Sequence, residues 1–254
     1  MRAIWSGAIG FGLVNIPVKL FSGSQESSLD LDLLDKKDHA RVHYQRVNED
    51  TGKVIDWKNI VKGYKLNGDY VILDDEDFKK ASPEKTKTVH IEAFVDEGQI
   101  ESVYYEVPYY LEPSKGGERA YVLLRDALEK SQKVGVGTFV LRNKEHLCVI
   151  KPYEKILLLE KIRFAEEVRD TSEIKIPKAK AKPAEMKMAL NLIDQLTADF
   201  DITAYKDTYT AALMKFIKAK AKGGKVKEPV LKVTHRKSMD LMEQLKASMG
   251  KKAS

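Results

Sequence analysis

The chain has 254 residues, with 44 Lys and Arg against 38 Asp and Glu and a formal charge of +6. That length can bury one sizeable core with appendages, and no apolar run is long enough to cross a membrane as a helix. The single cysteine, Cys148, excludes an internal disulfide framework and fits a reducing cytoplasm.

The opening segment, MRAIWSGAIGFGLVNIPVKLF, is apolar from Ile4 to Val18 and interrupted by Gly7, Gly10, Gly12, Asn15 and Pro17. A cleaved secretory leader would share the positive start and the apolar run. Asn15 and Pro17 break that run, however, and no A-x-A pattern follows Phe21. The glycines fit a buried strand, a bend and a second strand that opens a barrel-like core. LDLDLL at 29–34 alternates as a half-buried strand does. Residues 35–65 are polar and basic, with turn signals from Asn48 to Gly52 and at Gly63. RVHYQRV within them alternates imperfectly, which reads as a long hairpin arm with little core of its own.

Strand character returns in DYVIL (69–73), VHIEAFV (89–95) and VYYEVPYYL (103–111), where Pro108 demands an edge or a bulge. Gly116 and Gly117 turn the chain into a helix at 118–131 with Tyr121, Leu124 and Leu128 facing a core. VGVGTFVL (134–141), HLCVI (146–150) and KILLLEKIRF (155–164) complete a mainly β core, 1–170. So many short strands fit a closed or nearly closed barrel of about seven strands.

Residues 171–183, with Pro177 and Pro183 around KAKAK, read as a linker. The period then turns helical over 184–222. Met186, Leu190, Ile193 and Leu196 line one face of a first helix, and a second at 205–221 carries Tyr209, Leu213, Phe216 and Ile217 before Gly223 and Gly224 stop it. In a basic tail, 223–254, Ser238 caps a short last helix with Met242, Leu245 and Met249 on one stripe. The fold class is thus mainly β with α: a barrel, an extended arm and a C-terminal helical arm.

Charge is segregated. Residues 215–254 carry 12 Lys/Arg against 3 Asp/Glu, and residues 36–65 carry 8 against 4, while 66–118 carry 5 against 13. Two basic segments around an acidic middle suggest a polyanion met on one face, against the plainer reading of a solvated mixed surface.

No catalytic constellation is present. His39, His43, His90, His146 and His235 are scattered, and no Cys or carboxylate pattern completes a zinc site around the first two. GAIGFG lacks the Gly-Lys-Ser/Thr ending of a phosphate loop and does not precede a helix. Cys148 lies in an apolar strand and reads as packing, and the run from Asp74 to Asp77 reads as a helix cap. The chain is therefore expected to be a binding protein with no cofactor, no metal and no catalytic residue. A small RNA- or nucleotide-binding barrel enzyme is the competing class. The aromatic cluster VYYEVPYYL lies in the acidic segment, which argues against a base-stacking platform. A general chromosome-coating protein is the third reading.

WSGAIGFGLVNIPVKLF closely resembles the opening of the bacterial Ku proteins, the end-binding factors of non-homologous end joining. The likeness continues through DWKNIVKGYKLNGDYVILDDEDF, PYYLEPSKGGERAYVLLRDAL and RFAEEVRD, and covers residues 1–215. Some relatives carry a cysteine pair after the stretch matching RVHYQRV; this chain has NEDTGK there, which leaves no metal clip at that turn.

The resemblance implies a homodimer whose barrels and 35–65 bridge arms form a ring threaded by a double-stranded DNA end, without base reading. It further implies an ATP-dependent partner, DNA ligase D, and a cytoplasmic, nucleoid-associated protein with no membrane partner. The candidate DNA-binding cations are Lys36, Lys37, Arg41, Arg46, Lys53, Lys58, Lys62 and Lys65 on the arm, with Arg125, Lys133 and Arg142 as further candidates if they face the channel. Lys215, Lys218, Lys220, Lys222, Lys225 and Lys227 are candidate tail contacts, or a merely solubilising tail. The helices of 184–222 would serve either dimer embrace or ligase contact. Trp5 reads as core, whereas Trp57 is free either to stack on an exposed base or to pack.

Overall fold

The computed structural model describes residues 1–81 and 87–223, with positions 244, 245 and 248. Two compact units emerge: Met1–Glu26 with Leu31–Asp170, and Ser27–Asp30 with the chain from Thr171 onward.

The first unit is built on seven strands: β1 (Trp5–Phe11), β2 (Val14–Ser22), β5 (Thr88–Asp96), β6 (Tyr105–Pro113), β7 (Lys133–Leu141), β8 (Lys144–Tyr153) and β9 (Ile156–Ile162). They close in the order β1-β2-β6-β9-β8-β7-β5, so no strand edge is left open. All neighbours run antiparallel except β5 and β1, whose parallel pairing shuts the barrel. Alternate side chains fill the interior. Ile9, Ile16, Val18, Leu20, Leu157 and Leu159 are fully buried there with Phe139 and Ile150. The leader-like opening segment is thus a core hairpin, and its apolar run exists because one face of each strand points inward.

Two local devices let the sheet curve. Opposite Gly137, β5 bulges between Ile91 and Ala93, and a Cβ at Gly137 would strike the His90 carbonyl. The second bulge lies between Tyr105 and Val107, next to Pro108, so the proline is accommodated by a bulge inside a barrel that has no edge. Helix α2 (Glu118–Ser131) covers the barrel with Tyr121, Leu124 and Leu128, the three positions its spacing predicts.

The arm differs from a single long hairpin. Three short ones follow in tandem: a bridge between Leu34 and Arg41, a bridge between Val47 and Val54, and the two-stranded sheet of β3 (Lys62–Leu66) and β4 (Asp69–Leu73). LDLDLL therefore forms no strand. Alternation supplies a possible face, but the segment pairs only at the Leu34–Arg41 bridge, where the Leu33 carbonyl accepts from the Val42 amide (2.9 Å), and Leu31 and Leu33 stay exposed. DYVIL pairs with β3 and not with the barrel, across a turn in which Asn67 and Gly68 have φ of 51° and 105°. Helix α1 (Asp75–Ala81) follows, and Asp74 accepts from the amides of Glu76 (2.8 Å) and Asp77 (2.9 Å) while Asp77 accepts from that of Asp74 (3.0 Å). The acidic run is a reciprocal cap.

In the second unit, residues 171–182 hold no helix or strand. Helix α3 (Pro183–Leu196) and helix α4 (Thr208–Ala221) then form, the latter capped by Asp207. Met186, Leu190, Ile193 and Leu196 share one face of α3, and each is at least half exposed. The last helix expected after Ser238 falls, apart from positions 244, 245 and 248, outside the described residues, as do Lys225 and Lys227. None of the described helices is long and apolar enough to cross a membrane.

Candidate nucleic-acid interface

The arm is almost entirely solvent-facing, because its short hairpins expose both sides of every bridge. Lys36 and Lys37 occupy the turn of the first hairpin and Lys53 follows that of the second; all three are exposed and unpaired among the described residues. Lys62 and Lys65 project from β3. Arg41, by contrast, is bonded to Asp32, and Lys58 lies 3.9 Å from Asp56. The Lys58 pair is so exposed that salt screens it and leaves the lysine available.

Three arm cations rest on aromatic faces. The Arg46 guanidinium is 4.3 Å from the ring centre of Trp57, the Lys62 ammonium 4.4 Å from that of Phe78, and the Lys65 ammonium 6.0 Å from that of its cross-strand partner Tyr70. Such contacts orient a cation without neutralising it. They went unread in the sequence, although Asn67-Gly68 between two β-rich runs was the signal that would have paired Lys65 with Tyr70.

The barrel candidates divide. Arg125 donates to Asp126 (2.7 and 2.9 Å) and to the Lys155 carbonyl (2.8 Å), and Lys133 donates to Asp96 (2.6 Å). Both charges are matched locally. Arg142 has no acid partner among the described residues; it sits in the two-residue turn between β7 and β8 and lines the same concavity as Lys62. Lys215 and Lys218 on α4 and Lys222 at its C-cap recur at i, i+3 and i+7 on one exposed side, with Lys220 turned away from them.

Elsewhere the ionisable groups are structural. Burial pushes the Cys148 thiol well above its usual range, so it is no nucleophile at neutral pH. Burial, with the nearby ammoniums of Lys161 and Lys144, lowers the His146 imidazole. Burial alone would lower Lys151 too, but its hydrogen bond to Glu97 (2.7 Å) and the charges of Glu97 and Glu160 reverse the direction. Among the described residues, no three His, Cys, Asp or Glu converge on a metal-sized site.

Fold and surface together define a closed-barrel protein that carries an exposed cationic arm. The chain matches the family model of the Ku70/Ku80 beta-barrel domain over residues 10–188, and it belongs to the Ku family. It is 40% identical to the non-homologous end joining protein Ku of Coxiella burnetii, over 99% of this chain and 95% of that protein. Identity to the protein of that name from Cupriavidus necator is 45%, over 88% and 68% of the two chains. The Archaeoglobus fulgidus protein is 37% identical over 98% of each. The likeness read from the opening segment therefore extends across the chain.

Proposed function

We propose that this chain binds the ends of double-stranded DNA without regard to sequence, as a homodimeric ring acting in non-homologous end joining, and that it recruits and stimulates DNA ligase D without chemistry of its own. The observation that carries the reading is the arm. It leaves a closed barrel with Lys36, Lys37, Lys53, Lys62 and Lys65 unpaired by acids among the described residues, and relatives of matching length are named for end joining. Contacts to phosphates position a protein and carry no sequence information, which suits a factor that must accept any broken end. Exposed Leu33, Val42, Val47, Ile60 and Val61 along the arm support a second copy as the partner that covers them. The open face of α3, in the second unit, is available to that copy or to the ligase.

If four cations per protomer meet phosphates, the dimer neutralises about eight charges, and the binding constant falls with log salt at a slope near −7. The test compares one plasmid before and after linearisation. Binding retained on the linear form and poor on the closed circle supports a threaded ring, which would act on the nucleoid in the cytoplasm. Equal affinity for both replaces it with a chromosome-coating protein, and nucleotide turnover by the purified chain replaces it with an enzyme.

A further inference from the structure

A second cationic feature lies beside the base of the arm. A concavity of about 470 Å³ opens between β3, α1 and the β7–β8 turn, with Lys62, Asp75, Phe78, Lys79, Arg142 and Asn143 in its wall. Arg41, Arg125 and Lys133 are each tied to a carboxylate, whereas Lys62, Lys79 and Arg142 pair with none among the described residues. Among the described residues, three cations against one carboxylate leave this wall a net +2.

Arg142 is held there against its own backbone preference. It and Asn143 form the two-residue turn with φ of 53° and 68°, a conformation that favours Asn, Asp or Gly in the first position. An arginine accepts the left-handed region only at a cost, and what it supplies in return is a guanidinium at the rim of the concavity. Across from it the Lys62 ammonium is steadied over the Phe78 ring at 4.4 Å.

We propose that this concavity takes the terminal phosphomonoester of a DNA strand, so that the protein distinguishes a phosphorylated end from one bearing a hydroxyl. A phosphomonoester carries about −1.5 to −2 near neutral pH, which matches the wall. A bridging phosphodiester carries a single charge, which matches this wall less well. The guanidinium fork can hold two phosphate oxygens at once, Lys62 and Lys79 supply the remaining donors, and Phe78 offers an apolar wall to the terminal sugar. The proposal rests on the end-binding reading above.

The test uses the full chain and one blunt duplex prepared with 5′-phosphate, 3′-phosphate or hydroxyl at its ends, beside the closed circle. Wild type should bind one phosphorylated form about tenfold or more tightly over the hydroxyl form, the ratio that one charge-assisted hydrogen bond supplies. Arg142→Asn and Lys79→Gln should each bring that ratio close to one. Asn suits the turn better than Arg, so the unfolding midpoint of Arg142→Asn should not fall, and a lost ratio then cannot be a folding defect. Equal affinity of wild type for all three ends, or a ratio untouched by both substitutions, overturns the proposal. Failure of every linear form to outbind the circle would instead sink the end-binding reading itself.

Discussion

The guanidinium of Arg46 lies 4.3 Å over the indole of Trp57, and the Arg46 carbonyl accepts from the Ile55 amide (2.9 Å), so two contacts clasp the base of the second arm hairpin. The indole is 69% exposed, yet one of its faces is taken by the cation. Trp57 therefore acts as a platform for Arg46, which leaves that face unavailable to a base.

Two substitutions separate charge from orientation. Trp57→Ala removes a contact worth about 0.5–1 kcal/mol but keeps the charge, so duplex affinity should fall a few-fold with an unchanged salt slope. Arg46→Gln removes the cation, and the slope of log K against log salt should shrink by about 0.9 per protomer. A salt titration of both variants checks this; an identical slope in Arg46→Gln would remove Arg46 from the interface.

The hydroxyl of Tyr121 donates to the Leu111 carbonyl and accepts from the Leu157 amide, both at 2.6 Å, and so ties α2 to β6 and β9. Tyr121 is buried, and Tyr121→Phe leaves both backbone groups unpaired in the core. Stability should drop by about 1–3 kcal/mol, read from urea unfolding, with m unchanged.

What was legible in the sequence follows from where partners come from. The barrel strands could be read because their inward side chains, such as Ile16, Val18 and Leu20, satisfy a core that the rest of the barrel completes. Tyr121, Leu124 and Leu128 were legible for the same reason at helical spacing. The arm was not, because nothing local decides which extended segment pairs with which. LDLDLL carried the right period and found only one bridge, while β3 and β4 paired through an Asn-Gly turn that charge patterning obscured. Among candidate contacts, lysines and arginines announce themselves but their neighbours do not. Asp126 and Asp96 absorb Arg125 and Lys133, and Lys79 joins Lys62 and Arg142 only in three dimensions.

Gly137 offers a test of the barrel's curvature. A Cβ there would strike the His90 carbonyl and the Ile91 Cα, both of them backbone, so neither can swing aside. Gly137→Ala should cost about 1–3 kcal/mol through forced backbone movement at the bulge. Gly98→Ala is its control, since a Cβ at Gly98 meets nothing within 4 Å. Equal thermal midpoints for the two variants would show that the bulge yields without cost.

His146 gives the barrel an acid-side weakness. Its imidazole lies below the ordinary value of about 6.5, first because burial penalises the charged ring, then because Lys161 and Lys144 repel the proton; Glu106 and the Leu141 backbone oppose the shift only in part. The unfolded chain therefore binds the proton more readily than the folded one. Stability from keeping this ring neutral is fully present above about pH 6.5 and is lost as pH falls through the lower, folded value. Phe139, 5.6 Å away between ring centres, packs beside the imidazole. His146→Gln keeps a polar side chain that does not titrate. Its urea midpoint should decline less than that of wild type between pH 7.5 and 5.5, with the two curves parallel above pH 7. An equal decline in both proteins would assign the acid sensitivity to other groups.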